Sequence, residues 1–274
     1  MKFHTSGIAT LLVSLLLLAA CNNQAGSHVS DVREAELADS VFLAPPVAWG
    51  GPFLVCFRFE VTQAEYRGES IELEERDLPA TQVNRSQASE WAAGRGMRLP
   101  TVNEWVHLRS AGGTQSPPAG NANTLELGIA KPLPVGVFER SRTPLGGYDF
   151  DGNVWEWLAS SENALAGLNP DPAAMQIGGS FASYSGIGDQ PPTRIAHELD
   201  QSSDVGFRPV ADALPWLKEQ VHSAWLEASV SERRAFGLAF QRWRPELRRQ
   251  VAQNWLEQNP QAADFADFLQ NPVP

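Results

Sequence analysis

The sequence predicts an α+β fold, irregular and loop-rich, with a small helical appendage at its C-terminal end. Two observations lead there. From about Ser40 to Ala213, short apolar runs alternate with Gly and Pro punctuation, the pattern of short strands joined by long connections rather than of a helical bundle. The last sixty or so residues change character to closely spaced helical segments, several beginning at or near a proline, where a first-turn amide needs no partner.

The N-terminal end carries an address. Lys2 precedes an apolar stretch, Ile8 to Leu18, that is too short for a comfortable membrane span, and Leu18-Ala19-Ala20-Cys21 has the spelling of a lipobox. The expectation is a bacterial lipoprotein: residues 1–20 as signal peptide, Cys21 lipidated, and 21–39 as a flexible stalk. Asn22 rather than Asp follows the cysteine, which places the anchor in the outer membrane, facing the periplasm or the surface. Once Cys21 is acylated, Cys56 is the one remaining thiol and has no intramolecular disulfide partner. The net charge of −11 argues against a nucleic-acid partner, because such proteins present a basic face to phosphates.

Within 40–213, Phe53 to Val61 reads as a strand. Thr62 and Glu65 follow in capping-box register, so the hydroxyl and the carboxylate each satisfy an orphan amide at a helix start. A second helix runs from Asn84 to Ala93, capped by Asn84 or Ser86 and stopped at Gly94. A third runs from Pro100 to Ser110, with Thr101 and Glu104 in capping-box register and Gly112-Gly113 as the stop. Between Gly113 and Tyr148 there is little periodicity, and a loop that long is uncommon unless it is functional or pinned. Helices are then expected over Pro215–Glu227, Ser231–Trp243, Pro245–Gln258 and around Phe265–Leu269, within an appendage of residues 214–274 folded onto the domain.

The densest chemistry lies in Leu145-Gly-Gly-Tyr-Asp-Phe-Asp-Gly-Asn-Val-Trp-Glu-Trp157, where acids and an amide sit among large aromatics. Acids are depleted from interiors unless paired or metal-bound, so something ionic is expected there. Met97-Arg-Leu-Pro-Thr-Val-Asn-Glu-Trp105 precedes it, and Ile177-Gly-Gly-Ser-Phe181 and Val205-Gly-Phe-Arg-Pro209 follow. In this order the blocks resemble the formylglycine-generating enzyme (sulfatase-modifying factor) family, whose fold is an enlarged C-type-lectin-like domain.

That resemblance implies a copper-dependent oxidation of substrate cysteines, with copper held between two cysteines three and eight positions beyond the serine of the Gly-Gly-Ser block. Here those positions are Ser183 and Gly188. A hydroxyl is a hard, un-ionised ligand and glycine has no side chain, so no copper is expected. The resemblance also implies structural calcium at Asn153 and Glu156, with Asp149 and Asp151 as additional or more distant oxygens. The competing reading has Asn153 capping a turn and Glu156 paired with Arg98 or Arg208. A second enzymatic branch of the fold uses non-haem iron, but His28, His107, His197 and His222 show no ligand-like spacing.

The functional expectation is therefore a membrane-anchored, non-catalytic module of the cell envelope that binds a protein, peptide or glycan, with Trp155, Ser180 and Tyr184 in its groove. The rival is a metal-dependent oxidoreductase with a rewired centre. A further alternative is an accessory that binds cysteine-containing peptides without oxidising them.

Overall fold

The computed structural model describes residues 37–47, 51–68, 71–110, 121–159, 174–186 and 190–272. The signal peptide, Cys21, most of the expected stalk, the Gly112-Gly113 stop, His28 and Gly188 lie outside the described residues.

Two small sheets carry the larger part. In the first, β1 (Val41–Ala44), β2 (Leu54–Phe57) and β7 (Val210–Asp212) lie in the order β1-β2-β7, antiparallel throughout. Every residue of β1 and β2 is buried, so the run Leu-Val-Cys-Phe is apolar without alternation because both of its faces are covered. The second sheet has the order β5-β4-β3-β6, built from β3 (Trp155–Trp157), β4 (Ala174–Ile177), β5 (Thr193–Ala196) and β6 (Val205–Gly206). Only its β3–β6 pair is parallel.

Three short helices, α1 (Gln63–Arg67), α2 (Arg85–Ala93) and α3 (Val102–Ser110), flank the sheets. Their starts follow the spelling. Thr62 and Glu65 form the reciprocal capping pair, as do Asn84 and Gln87, and Thr101 Oγ1 accepts from Glu104 N while the Glu104 carboxylate accepts from Thr101 N.

Several boundaries differ from the expectation. The strand predicted over Phe53–Val61 ends at Phe57, because Arg58, Phe59 and Glu60 turn away from the ladder and carry two ionisable side chains into the interior. At the other end, the stalk predicted through residue 39 is folded from Leu37: residues 37–40 are helical, Ala38 is buried, and the Asp39 carboxylate pairs with Arg242 at 2.8 Å.

The C-terminal run continues from β7 as α4 (Ala213–Trp216), a π-helical stretch Leu217–His222 and α5 (Ser223–Glu227), followed by α6 (Val230–Gln241), α7 (Pro245–Gln258) and α8 (Ala263–Gln270). Helix α6 starts and ends before the expected Ser231–Trp243. Ser229 is the residue that caps it, through Glu232 N, and Trp243 has left the helix so that its indole donates to the Val41 carbonyl at 3.2 Å. That bond, with Trp216 and Trp243 buried, packs the helices onto the first sheet. Among the described residues no helix is long and apolar enough to cross a membrane.

Candidate functional site: a buried ionic centre beneath a closed serine turn

The centre forms where β3, the turn before it and the link between β6 and β7 meet. Glu156, at the middle of β3, is 1 % exposed, and Arg208, between β6 and β7, is 0 % exposed. Arg208 Nε and Nη2 grip the Glu156 carboxylate at 2.7–3.2 Å, while Trp105 Nε1, from α3, donates to the same carboxylate at 2.6 Å. The remaining donors of Arg208 go to main-chain carbonyls: Phe57 and Arg58 from Nη1, and Tyr148 from Nη2. One guanidinium thus ties both sheets and the loop before β3, which suits a planar fork of five donors.

The turn that delivers Glu156 is held in the left-handed region: φ is +56° at Asp149, +83° at Gly152 and +57° at Asn153. Gly152 is obligatory there for a second reason, since a Cβ would stand 2.4 Å from the Asn123 carbonyl oxygen. Asn153 is a connector. Its Nδ2 donates to Glu60 at 2.8 Å, and its Oδ1 accepts from Asn123 Nδ2 and from Leu133 N, both at 3.0 Å. The long loop before β3 is therefore pinned by a buried amide.

Glu60 and Asp149 complete the centre. Glu60 is fully buried and accepts from Asn153 and from Val154 N; burial first, then the nearby Asp149 and Glu156 charges, holds its carboxyl well above the usual range. Burial likewise pushes Asp149 up to about 6, although Gly136 N donates to it at 2.6 Å.

Of the two readings of the acidic segment, these contacts match the pairing of Glu156 with Arg208. The four side chains expected to share calcium enter separate partnerships: Glu156 with Arg208 and Trp105, Asp149 with Gly136 N, Asp151 with Arg109 at 3.0 Å, and Asn153 with Glu60, Asn123 and Leu133. This donor set does not fit a hard cation, which takes six or more oxygens, because the Glu156 oxygens are already filled by N–H donors and Asp151 is drawn to Arg109. Among the described residues no group of three or more His, Cys, Asp and Glu is arranged to hold a metal ion. Arg98, the other arginine considered for Glu156, forks onto Glu104 instead, at 2.6 and 2.8 Å.

The groove residues are divided between surface and interior. Trp155 and Ser180 are buried, not open: Arg194 lies over the Trp155 ring with its guanidinium carbon at 4.6 Å, and Ser180 Oγ donates to Asp204 at 3.2 Å. Tyr184 is the exposed member. Ser183 closes a tight turn, its Oγ accepting from Ser180 N at 2.7 Å and donating to Ser180 O at 3.2 Å. Cys56 lies in β2, fully buried, where desolvation pushes its thiol far above the normal range.

Reasoning from sequence missed Glu60, Asn123 and Trp105. For Glu60 a signal existed: it stands after Arg58 in the otherwise apolar Leu54-Val-Cys-Phe-Arg-Phe-Glu-Val61. No comparable local signal marks Asn123.

A loop-rich α+β domain whose two sheets are joined through one buried Arg–Glu pair is the class of protein this arrangement defines. Residues 58–213 match the family model of the sulfatase-modifying factor enzyme 1-like domain, and the chain belongs to that family. It is 32% identical over 149 residues to a mouse (Mus musculus) protein named inactive C-alpha-formylglycine-generating enzyme 2, covering 48% of this chain and 46% of that one. It is also 31% identical over 105 residues to the hercynine oxygenase of Mycolicibacterium smegmatis, covering 34% of this chain and 24% of the relative. The chain thus spans about half the length of the first relative and about a quarter of the second. Among solved structures it resembles CarF, with 23% identity and a TM-score of 0.47 over 58% of this chain and 86% of that one.

Proposed function

We propose that this chain is a membrane-anchored, non-catalytic binding or structural module of the cell envelope, built on a sulfatase-modifying-factor domain. One observation carries the reading. Ser183, at a position where the family resemblance calls for a copper thiolate, spends its hydroxyl on closing a turn with Ser180. A hydroxyl so engaged is a poor ligand for a soft metal, and the buried Cys56, its thiol held protonated, offers no substitute. The name of the mouse relative supports the same reading. Under this proposal the Arg208–Glu156 centre is scaffold, and binding falls to the surface around Tyr184 and Arg194 or to the C-terminal helices. The ligand is a protein, peptide or glycan of the envelope.

The similarity to a hercynine oxygenase favours one second reading, an oxidoreductase whose metal ligands have been relocated. A single experiment separates the two. The purified full chain is analysed for copper and iron and then incubated aerobically with a cysteine peptide. The proposal expects substoichiometric transition metal and an unmodified peptide. Stoichiometric copper or iron, or aldehyde formed on the peptide, would overturn it.

A further inference from the structure

Against a chain of net charge −11, three arginines gather at one place. Arg58, just after β2, is 5 % exposed; its Nε donates to the Asp39 carbonyl at 3.1 Å and its Nη1 to the Gly146 carbonyl at 3.4 Å, while its Nη2 is buried without a hydrogen-bond partner. Arg142 reaches the same spot from the loop before β3. A Cβ built on Gly146 would lie 2.9 Å from Arg58 Nη1 and 3.7 Å from Arg142 Nη2, so both guanidiniums lie close against this glycine, at φ +101°. Arg242, at the C-terminal end of α6, arrives from the helical appendage and bonds Asp39 Oδ2 at 2.8 Å.

The acids nearby do not complete the set. Asp39 is engaged by Arg242, and Glu139 stands 3.6 Å from Arg142, is 70 % exposed in its side chain and accepts the Tyr148 hydroxyl at 2.7 Å. None of them meets Arg58 Nη2. A buried cationic donor without an acceptor is costly, and two further cations beside it add repulsion. Burial, with the Arg242 and Arg142 charges adding and Asp39 opposing, lowers the Arg58 guanidinium to about 10. Each of these deficits is relieved by the same object, a compact tetrahedral oxyanion with several acceptor oxygens.

We propose that Arg58, Arg142 and Arg242 form a binding site for a phosphate-type oxyanion, clamped between the sulfatase-modifying-factor domain and its C-terminal helices. The anion is either free phosphate or the phosphate of an anionic lipid headgroup. The site lies against Asp39, whose carbonyl accepts from Arg58 Nε.

The test uses the full chain and two variants, R142Q and R242Q, whose side chains are about half exposed and whose loss spares the buried Arg58. Thermal unfolding is followed in inorganic phosphate and in chloride at equal ionic strength. Co-sedimentation is compared between phosphatidylglycerol and phosphatidylcholine vesicles, so that insertion of any lipid anchor cancels. A phosphate-specific rise in midpoint, with affinity weakened about tenfold in each variant, supports the site with free phosphate as its ligand. A phosphatidylglycerol preference lost in the variants supports the lipid source. No preference in either arm, or preferences that both variants keep, would overturn the proposal.

Discussion

The two halves of this molecule differ in the polar side chains they bury within their apolar cores. Between β1 and β7 the interior holds Glu60, Asp149, Asn153, Glu156 and Arg208 among its apolar residues. In the helices after β7 it holds Trp216, Trp225, Trp255, Phe236, Phe240 and Phe265, with Trp225 and Trp255 each edge to face against Phe265 and the indole nitrogens of Trp216, Trp225 and Trp255 lacking acceptors. The reason is where each half finds partners for its backbone. Helices satisfy their own amides and carbonyls, so their shared faces are free to be apolar. Loops do not, and the carbonyls of Phe57, Arg58 and Tyr148 are met by a guanidinium instead. A guanidinium in turn needs a carboxylate. The lesson is that a loop-rich core of this kind acquires its ions as a consequence of its irregular backbone, whether or not any chemistry is done there.

Three perturbations sharpen or break that comparison. The largest effect is expected from Arg208→Met, which strands the Glu156 charge and takes the guanidinium donor from the Phe57 and Tyr148 carbonyls at once. It should cost about 4 kcal/mol or prevent folding, read as the urea midpoint. Lysine at the same position should rescue little, because a point charge cannot span that fan of acceptors. If the methionine variant unfolds near the wild-type midpoint, the ions are not what hold the loops.

Next comes Trp255→Ala, a cavity beside His222 and Phe265, expected to cost about 3 kcal/mol. Hydrogen exchange should show the loss confined to residues 213–272, with β2 and β3 amides still protected. Simultaneous loss of protection everywhere would mean that the two halves unfold as one and that the contrast has no thermodynamic counterpart.

The smallest effect is a gain. Burial raises the Asp149 carboxyl to about 6, so folding takes up a proton: the stability tied to this group is intact below the unfolded carboxylate range and is lost as pH climbs through about 6. Asp149→Asn removes that penalty, keeps an acceptor for Gly136 N and tolerates the left-handed backbone. The variant should match wild type at low pH and exceed it by at most about 3 kcal/mol above pH 7. Equal pH profiles for the two proteins would show that Asp149 is compensated by a cation after all.

Local features were readable in advance. The helix starts at Thr62, Asn84 and Thr101 need only residues three apart, and all three occur where their spelling places them. The fold class was readable for the same reason, since Gly, Pro and short apolar runs act over a few residues. The choice between calcium and an arginine for Glu156 was not. It depends on Arg208, 52 positions later, and on Trp105, 51 positions earlier.

By itself, then, the sequence determined that this would be a loop-rich α+β domain with a helical tail. Only the tertiary structure decided which charges meet, how deeply Glu60 sits, and that Trp155 and Ser180 lie beneath the surface while Tyr184 stands on it. The physical reason is distance along the chain. Caps and turns are contests among neighbouring amides, whereas the partner of a buried ion is chosen by whichever remote segment the packing brings within about 3 Å.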